Sequence, residues 1–338
     1  MKTPKVVVIT GGTAGVGRAT AVRFAREGCK LAVLARGEDG LAATVAECER
    51  AGSPETIAIP CDVADCDAVH AAALRAETEL GPIDVWINNA MTTVFGRVED
   101  VAGSEFKRVT EVTYLGTVWG TRAALAHMRP RDRGVIVQVG SALAYRSIPL
   151  QAAYCAAKHA IVGFTDSLRS ELLHEKAGIH LTIVHLPAVN TPQFRWCMNK
   201  MPFEPQPVPP IFQPEIIADA IWFAATHKRR EVYVAAPTVE AIVGQEVAPG
   251  VLDRYLASRA WDGQFTDKPA DHSRATNLFE PVPGDHGAHG DFDARATERS
   301  AIAALTTRMG AAGVRALAGA VAITAAVGIF ALVRRLAA

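Results

Sequence analysis

Ser141 and the run Tyr154-Cys155-Ala156-Ala157-Lys158 put a hydroxyl, a phenol and an amine within one short stretch of chain. Tyr154 and Lys158 are one helical turn apart in a segment, Gln151 to Lys176, whose stripe of Ile161, Leu168 and Leu172 predicts a helix. Both side chains then leave the same helix face. A free phenol near pKa 10 is a poor acid or base at neutral pH, but an ammonium beside it favours the phenolate and lowers that pKa. Ser141 follows the glycine-bounded apolar run Gly134 to Gly140, which reads as a buried strand of a parallel sheet. Ligands of such sheets sit at the carboxyl ends of the strands, where Ser141 falls. A Y-x-x-x-K pair by itself is equally an ordinary surface pair, so the chemistry depends on the elements that would position it.

The amino end supplies the first of these. Lys5 to Thr10 is a β-branched run, followed by Gly11-Gly12-Thr13-Ala14-Gly15-Val16-Gly17 and a predicted helix, Arg18 to Glu27. Strand, glycine-rich turn and helix form the context a dinucleotide fingerprint needs. The turn admits a pyrophosphate close to the backbone, and the helix amino end offers N–H groups and positive dipole. After the second strand, Lys30 to Ala35, no acid is placed to accept from a ribose 2′-hydroxyl, and Arg36 follows instead. That residue suits a 2′-phosphate, so NADP(H) is favoured over NAD(H). The bland alternative is a solvated loop cation, and Glu38 and Asp39 would weaken a phosphate site if they pointed inward.

The alternation then continues: helix Leu41 to Ala51, strand Thr56 to Pro60, helix Ala64 to Glu79, strand Val85 to Ile87, helix Glu105 to Met128, and the strand from Gly134. Strand Ile179 to Leu186, helix Glu215 to His227 and a last strand, Glu231 to Ala235, complete it. This predicts an α/β fold, a Rossmann-type doubly wound parallel sheet of about seven strands with helices on both faces. The 338 residues, 49% of them hydrophobic, suffice for one large domain over residues 1–260 with appendages. Equal numbers of acidic and basic residues, 35 each, give no sign of a nucleic-acid partner. The 6 cysteines are scattered without C-x-x-C spacing, which predicts reduced thiols.

In the order Thr10-Gly11-x-x-x-Gly15-x-Gly17, Asp62-Val63, Asn88-Asn89-Ala90, Ser141, Tyr154-x-x-x-Lys158, and Pro187 with Thr191, the chain resembles a short-chain dehydrogenase/reductase over Lys5 to Ala236. The resemblance implies Tyr154 as acid/base, Lys158 binding the ribose hydroxyls while lowering the tyrosine pKa, and Ser141 on the substrate oxygen. It implies Gly11, Thr13, Gly15, Val16 and Gly17 in the cofactor turn, Asp62 and Asn89 near the adenine part, Val63 and Ala90 as further cofactor-binding residues, and Val189 and Thr191 near the nicotinamide amide and phosphates. It also implies a homodimer or tetramer. The chain departs from the family at Thr113, where the catalytic asparagine usually stands, and at Met91 and Ala188, where glycines usually stand. Threonine has fewer donors and less reach, which puts the proton relay in question. The expected function is NADP(H)-dependent interconversion of an alcohol and a ketone or aldehyde. The rival is a membrane-associated NADP(H)-binding sensor or scaffold without useful turnover.

Residues 191–214 carry Phe194, Trp196, Met198, Met201, Phe203 and Phe212 among seven prolines, in the place where this family has its substrate lid. They would line an apolar pocket for a small lipophilic substrate, or else merely cover the sheet. A helix, Pro249 to Ala260, precedes residues 261–313, a polar linker or an arm lying on the domain. His286, His289 and Asp291 there lack further ligands at metal-site spacing, so no metal is expected. Ala316 to Val333 holds no charged residue, and about eighteen helical residues span roughly 27 Å. Residues 314–335 are therefore a candidate membrane-anchoring helix, the alternative being packing or assembly. With no secretory signal seen at the start, the catalytic domain is expected on the cytoplasmic side of that membrane.

Overall fold

The computed structural model describes residues 4–303 and, beyond these, residues 305, 306, 308, 309, 313, 315 and 316. Seven strands form one parallel sheet: β1 Val6–Thr10, β2 Lys30–Ala35, β3 Thr56–Pro60, β4 Val85–Asn88, β5 Gly134–Ser141, β6 Ile179–Leu186 and β7 Glu231–Tyr233. Their order is β3-β2-β1-β4-β5-β6-β7, so the chain reverses direction between β1 and β4. Every residue of β1 is buried, which is why its sequence is a continuous apolar run instead of an alternating one.

The pleat divides that run. Val7 and Ile9 face the helices α1 Gly15–Arg26, α2 Glu38–Ala51 and α8 Pro214–Thr226, with Phe24, Cys48 and Ile221 among the facing side chains. Val6 and Val8 face α3 Cys66–Leu80, α5 Gly116–Met128 and α6 Ala152–His174, through Ala73, Ala124 and Leu168. Local chemistry sets the helix limits. Asp65 caps α3 by accepting from the N–H groups of Asp67 and Ala68 at 2.9 and 3.1 Å, and Gly52 ends α2 in the left-handed region.

Several predicted boundaries move. Helix α1 starts at Gly15, so the glycine turn itself forms its first turn. The helix expected over Glu105 to Met128 is α4 Gly103–Val109, a π-helical turn Thr110–Leu115 and then α5. Hydroxyls disturb this ladder: Thr117 bonds the Thr113 carbonyl and Thr121 the Thr117 carbonyl, while Thr113 is tied sideways to Thr92. Strand β7 ends at Tyr233 because a helix not expected from the sequence, α9 Ala236–Val247, follows at once and leads to α10 Pro249–Arg259.

Residues 191–214 contain one short helix, α7 Gln193–Trp196, and are tied down by two-stranded ladders. Met198–Asn199 pairs with Val94–Phe95, Phe203–Pro205 with Phe265–Pro269, and Ile211–Phe212 with Ala296–Thr297. The apolar segment expected to anchor in a membrane lies outside the described residues except for Ala316. Among the described residues, no helix is long and apolar enough to cross a membrane.

Candidate active site

The turn after β1 approaches its neighbours more closely than a side chain would allow. Gly11 has φ +64°, and a Cβ there would lie 2.7 Å from the Ala90 Cα; one on Gly17 would lie 2.1 Å from the Gly11 carbonyl oxygen. Asn89 fixes this turn by donating to the carbonyls of Thr10 and Gly11 at 3.1 and 3.0 Å. The Thr10 hydroxyl returns the connection, accepting from the N–H groups of Asn89 and Ala90. Met91 and Ala188 are not among the residues with positive φ, so glycine is not needed at either place.

The carboxyl ends of six strands open on one cavity of about 750 Å³. Gly11, Thr13, Gly15 and Val16 from the first turn, Arg36, Asp62, Val63, Asn89 and Ala90 line one part of it. Ser141, Tyr154, Lys158, Val189 and Thr191 line the next part, so the sequence-predicted residues meet at one place. Gly17 does not reach the cavity and lies beneath the turn, where only a hydrogen fits. The shape suits a dinucleotide: a turn with bare backbone at one end, an arginine at the end of β2, and the proton-transfer groups further along.

Strand β5 delivers Ser141 and helix α6 delivers Tyr154 and Lys158 from one face. Ser141 acts on the Tyr154 hydroxyl in favour of the phenolate, and its own oxygen accepts from the Leu143 N–H at 3.1 Å. Lys158 donates to the Val139 carbonyl at 2.7 Å and stands 5.6 Å from the centre of the Tyr154 ring. The expected depression of the phenol pKa is not what this arrangement gives. Protein packed round the ring pushes the Tyr154 pKa up, although part of its surface faces the cavity, and Ser141 beside it opposes the rise. Burial also brings Lys158 down to about 8, which weakens the ammonium that was to hold a phenolate. Burial thus favours the neutral phenol at Tyr154.

Thr113 contributes no group to the cavity. It is fully buried, and its hydroxyl donates to the Thr92 carbonyl and accepts from the Thr92 N–H, both at 3.1 Å. Of the apolar lid residues, Phe194 and Trp196 line the cavity; Phe212 packs into the core, and Phe203 is exposed. Among the described residues, no group of three or more His, Cys, Asp or Glu side chains could hold a metal ion. His289 instead bridges two carboxylates, Asp293 at 3.0 Å and Glu215 at 2.8 Å. All six cysteines are free, and burial pushes Cys29, Cys48, Cys61 and Cys197 up to about 12, too high for reactive thiolates.

Three parts of the site carry no sequence signal of their own. Arg108 on α4 pairs with Asp62, which also accepts from the Ala64 N–H at 3.0 Å. Arg146 and Gln151 line the substrate part, Arg146 bonding Gln245 at 2.8 Å and Asp253 at 2.7 Å. The polar stretch after α10 also reaches the cavity, through Asn277, Pro281, Val282, Gly284 and His286. No periodic pattern in the sequence marks any of them.

Residues 5–200 match the family model for short chain dehydrogenase. The chain is similar to an uncharacterized oxidoreductase, YxnA, of Bacillus subtilis, 31% identical over 286 residues, which is 83% of this chain and 80% of that protein. It is similar to the 3-dehydrosphinganine reductase of Danio rerio, 31% identical over 222 residues, 64% of this chain and 66% of that one. It is also similar to dehydrogenase/reductase SDR family member 7B of Bos taurus, 31% identical over 268 residues, 75% of this chain and 81% of that one. With its parallel sheet, glycine turn and Ser141, Tyr154 and Lys158 on one cavity, the chain belongs to the short-chain dehydrogenase family of oxidoreductases.

Proposed function

We propose that the protein is an NADP(H)-dependent oxidoreductase that interconverts a ketone or aldehyde and the corresponding alcohol on a lipophilic substrate. The observation that carries this reading is that Ser141, Tyr154 and Lys158 line one cavity that begins at the glycine turn. A nicotinamide cofactor, when bound, supplies or takes the hydride. The chain's own residues handle the proton and the oxygen. Tyr154, neutral, donates its proton to the oxygen of a carbonyl substrate, and Ser141 holds that oxygen in line. Lys158 keeps α6 against β5 through Val139 and lines the cavity. The turn at Gly11 to Val16 would hold the pyrophosphate, and Arg36 a 2′-phosphate, which supports NADP(H) over NAD(H).

The lipophilic substrate is supported by the apolar side chains that follow Ser141 round the cavity, including Leu143, Ile148, Phe194, Trp196, Leu252 and Leu256. The relative named 3-dehydrosphinganine reductase suggests long-chain ketones as the first class to try. A membrane anchor at residues 314–335, with the domain on the cytoplasmic side, would put the site near such compounds. The rival, a nucleotide-binding sensor, is favoured by Thr113, whose hydroxyl is committed to Thr92 and relays no proton. Single-turnover oxidation of bound NADPH by a panel of long-chain ketones separates the two readings: loss of NADPH absorbance supports the oxidoreductase, and tight binding with no oxidation supports the sensor.

A further inference from the structure

The polar stretch after α10 runs over the nucleotide part of the cavity and touches both of its walls. At one end, Leu278 is fully buried against Val94, Val109 and Ala153. Three successive carbonyls around it are taken by two arginines: Asn277 and Phe279 accept from Arg36, and Leu278 accepts from Arg108 at 3.0 Å. The stretch then meets α2, where the Gly284 N–H donates to Asp39 at 2.8 Å, and α1, where Asp285 lies 3.3 Å from Arg18. The Gly287 carbonyl accepts from the Gly15 N–H at 3.0 Å. Gly290 lies flat on the far wall, where a Cβ would stand 2.5 Å from the Thr191 carbonyl oxygen. Asp291 pairs with Arg195 at 2.6 Å, and Asp293 accepts from Asn190 and Gln213 at 2.8 and 3.0 Å.

Two of these contacts use groups the cofactor needs. The Gly15 N–H is one of the free donors at the amino end of α1, the place where a pyrophosphate binds. Arg36 is the residue placed for a 2′-phosphate. We propose that residues 277–293 form a strap that competes with the cofactor for the Gly15 N–H and Arg36, so that the strap must lift for a dinucleotide to bind or leave. This rests on the dinucleotide reading above. A phosphate oxygen is a stronger, charge-assisted partner for both donors than a neutral carbonyl, so the cofactor displaces the strap when it arrives. Near the far end of the strap the Arg195–Asp291 pair is exposed and worth little, and Leu278 serves as the buried pivot.

The geometry offers a lock. A Cβ on Gly37 would lie 3.5 Å from the Pro281 Cβ, within disulfide range, and Gly37 has φ −84°, which any residue adopts. In the full chain, Gly37→Cys with Pro281→Cys should, when oxidised, take up NADPH at least tenfold more slowly in stopped-flow fluorescence, and dithiothreitol should restore the rate. Conversely, Asp291→Ala, which frees the exposed pair with Arg195, should speed both association and dissociation about threefold or more. An oxidised double variant that binds at its reduced rate overturns the strap. Should the double variant bind poorly even when reduced, Asp291→Ala decides, and unchanged rates overturn the proposal. If neither NADPH nor NADH binds to the wild-type chain or any variant by calorimetry, the dinucleotide reading fails and the strap falls with it.

Discussion

The ammonium nitrogen of Lys158 lies 2.7 Å from the main-chain oxygen of Val139, two residues before Ser141 on the same strand. One contact therefore fixes α6 against β5 and sets Tyr154 beside Ser141. It also places a cation where burial disfavours it, and the Lys158 pKa falls from 10.5 to about 8.

That fall has a signature in stability. Below about pH 8 the lysine is protonated in both folded and unfolded chains, and the full cost of burying the ammonium is present. Between about 8 and 10.5 the unfolded chain binds more protons, so stability rises with pH, by about 3 kcal/mol over the interval. Urea unfolding at pH 7.5 and pH 10 should show wild type gaining on Lys158→Met by most of that amount. A difference between the two proteins that does not change with pH would contradict it.

The proposed preference for NADP(H) rests on Arg36. Arg36→Leu removes one charge-assisted partner of a 2′-phosphate, worth about 1.5–3 kcal/mol, or on the order of ten- to a hundredfold in affinity. Calorimetric titration should show NADPH weakened by that factor and NADH by little. Equal losses for the two would end the argument for NADP(H).

His289 gives the strap region a pH dependence. Burial works against its protonation, but the bonds to Glu215 and Asp293 outweigh it and raise the pKa above 6.5. A raised folded pKa means the contribution is fully present below pH 6.5 and is lost as pH rises through the folded value. Limited proteolysis within residues 277–293 should therefore quicken on going from pH 6 to pH 9, and His289→Gln should remove that dependence. The same cleavage rate at both pH values in wild type would contradict this.

The sheet was legible because its central strands are buried on both faces and read as short apolar runs between helices; β2, β3 and β6 match their predicted limits to the residue. Ser141, Tyr154 and Lys158 could be found because strand end and helix spacing are short-range signals. Helix α9 was missed although Pro237 in its first turn and Val239, Ile242 and Val243 on one stripe mark it, because the chain enters it directly from β7. The path of residues 277–293 had no such marker. It is fixed by main-chain carbonyls and one buried leucine, and neither leaves a periodic trace. The direction of the Tyr154 shift depended on how much protein surrounds the ring, which spacing along a helix does not reveal.

A membrane test needs care over where the chain is cut. Residues past Ser300 pack on the domain: Thr306 donates to the Tyr233 carbonyl at 3.0 Å, Arg315 pairs with Glu246 at 3.0 Å, and Ile302 and Leu305 join the cluster round Tyr233. A chain ending at Ala316 keeps these contacts and should stay in the supernatant after ultracentrifugation with NADPH binding intact. The full chain should remain in the membrane fraction through a high-salt wash and leave it in detergent. Full-length protein in the supernatant at physiological salt would assign the apolar segment to packing or assembly instead.

Whether Tyr154 is the proton donor of a working oxidoreductase is decided most directly by one measurement. Wild type and Tyr154→Phe, each loaded with NADPH, are mixed with a 3-keto sphingoid base and other long-chain ketones, and cofactor oxidation is followed in a single turnover. The expected result is oxidation by wild type with at least one of these ketones, and a rate lower by about 10²–10⁴ in Tyr154→Phe at unchanged NADPH affinity. Tyr154→Phe turning over at the wild-type rate would contradict the assignment.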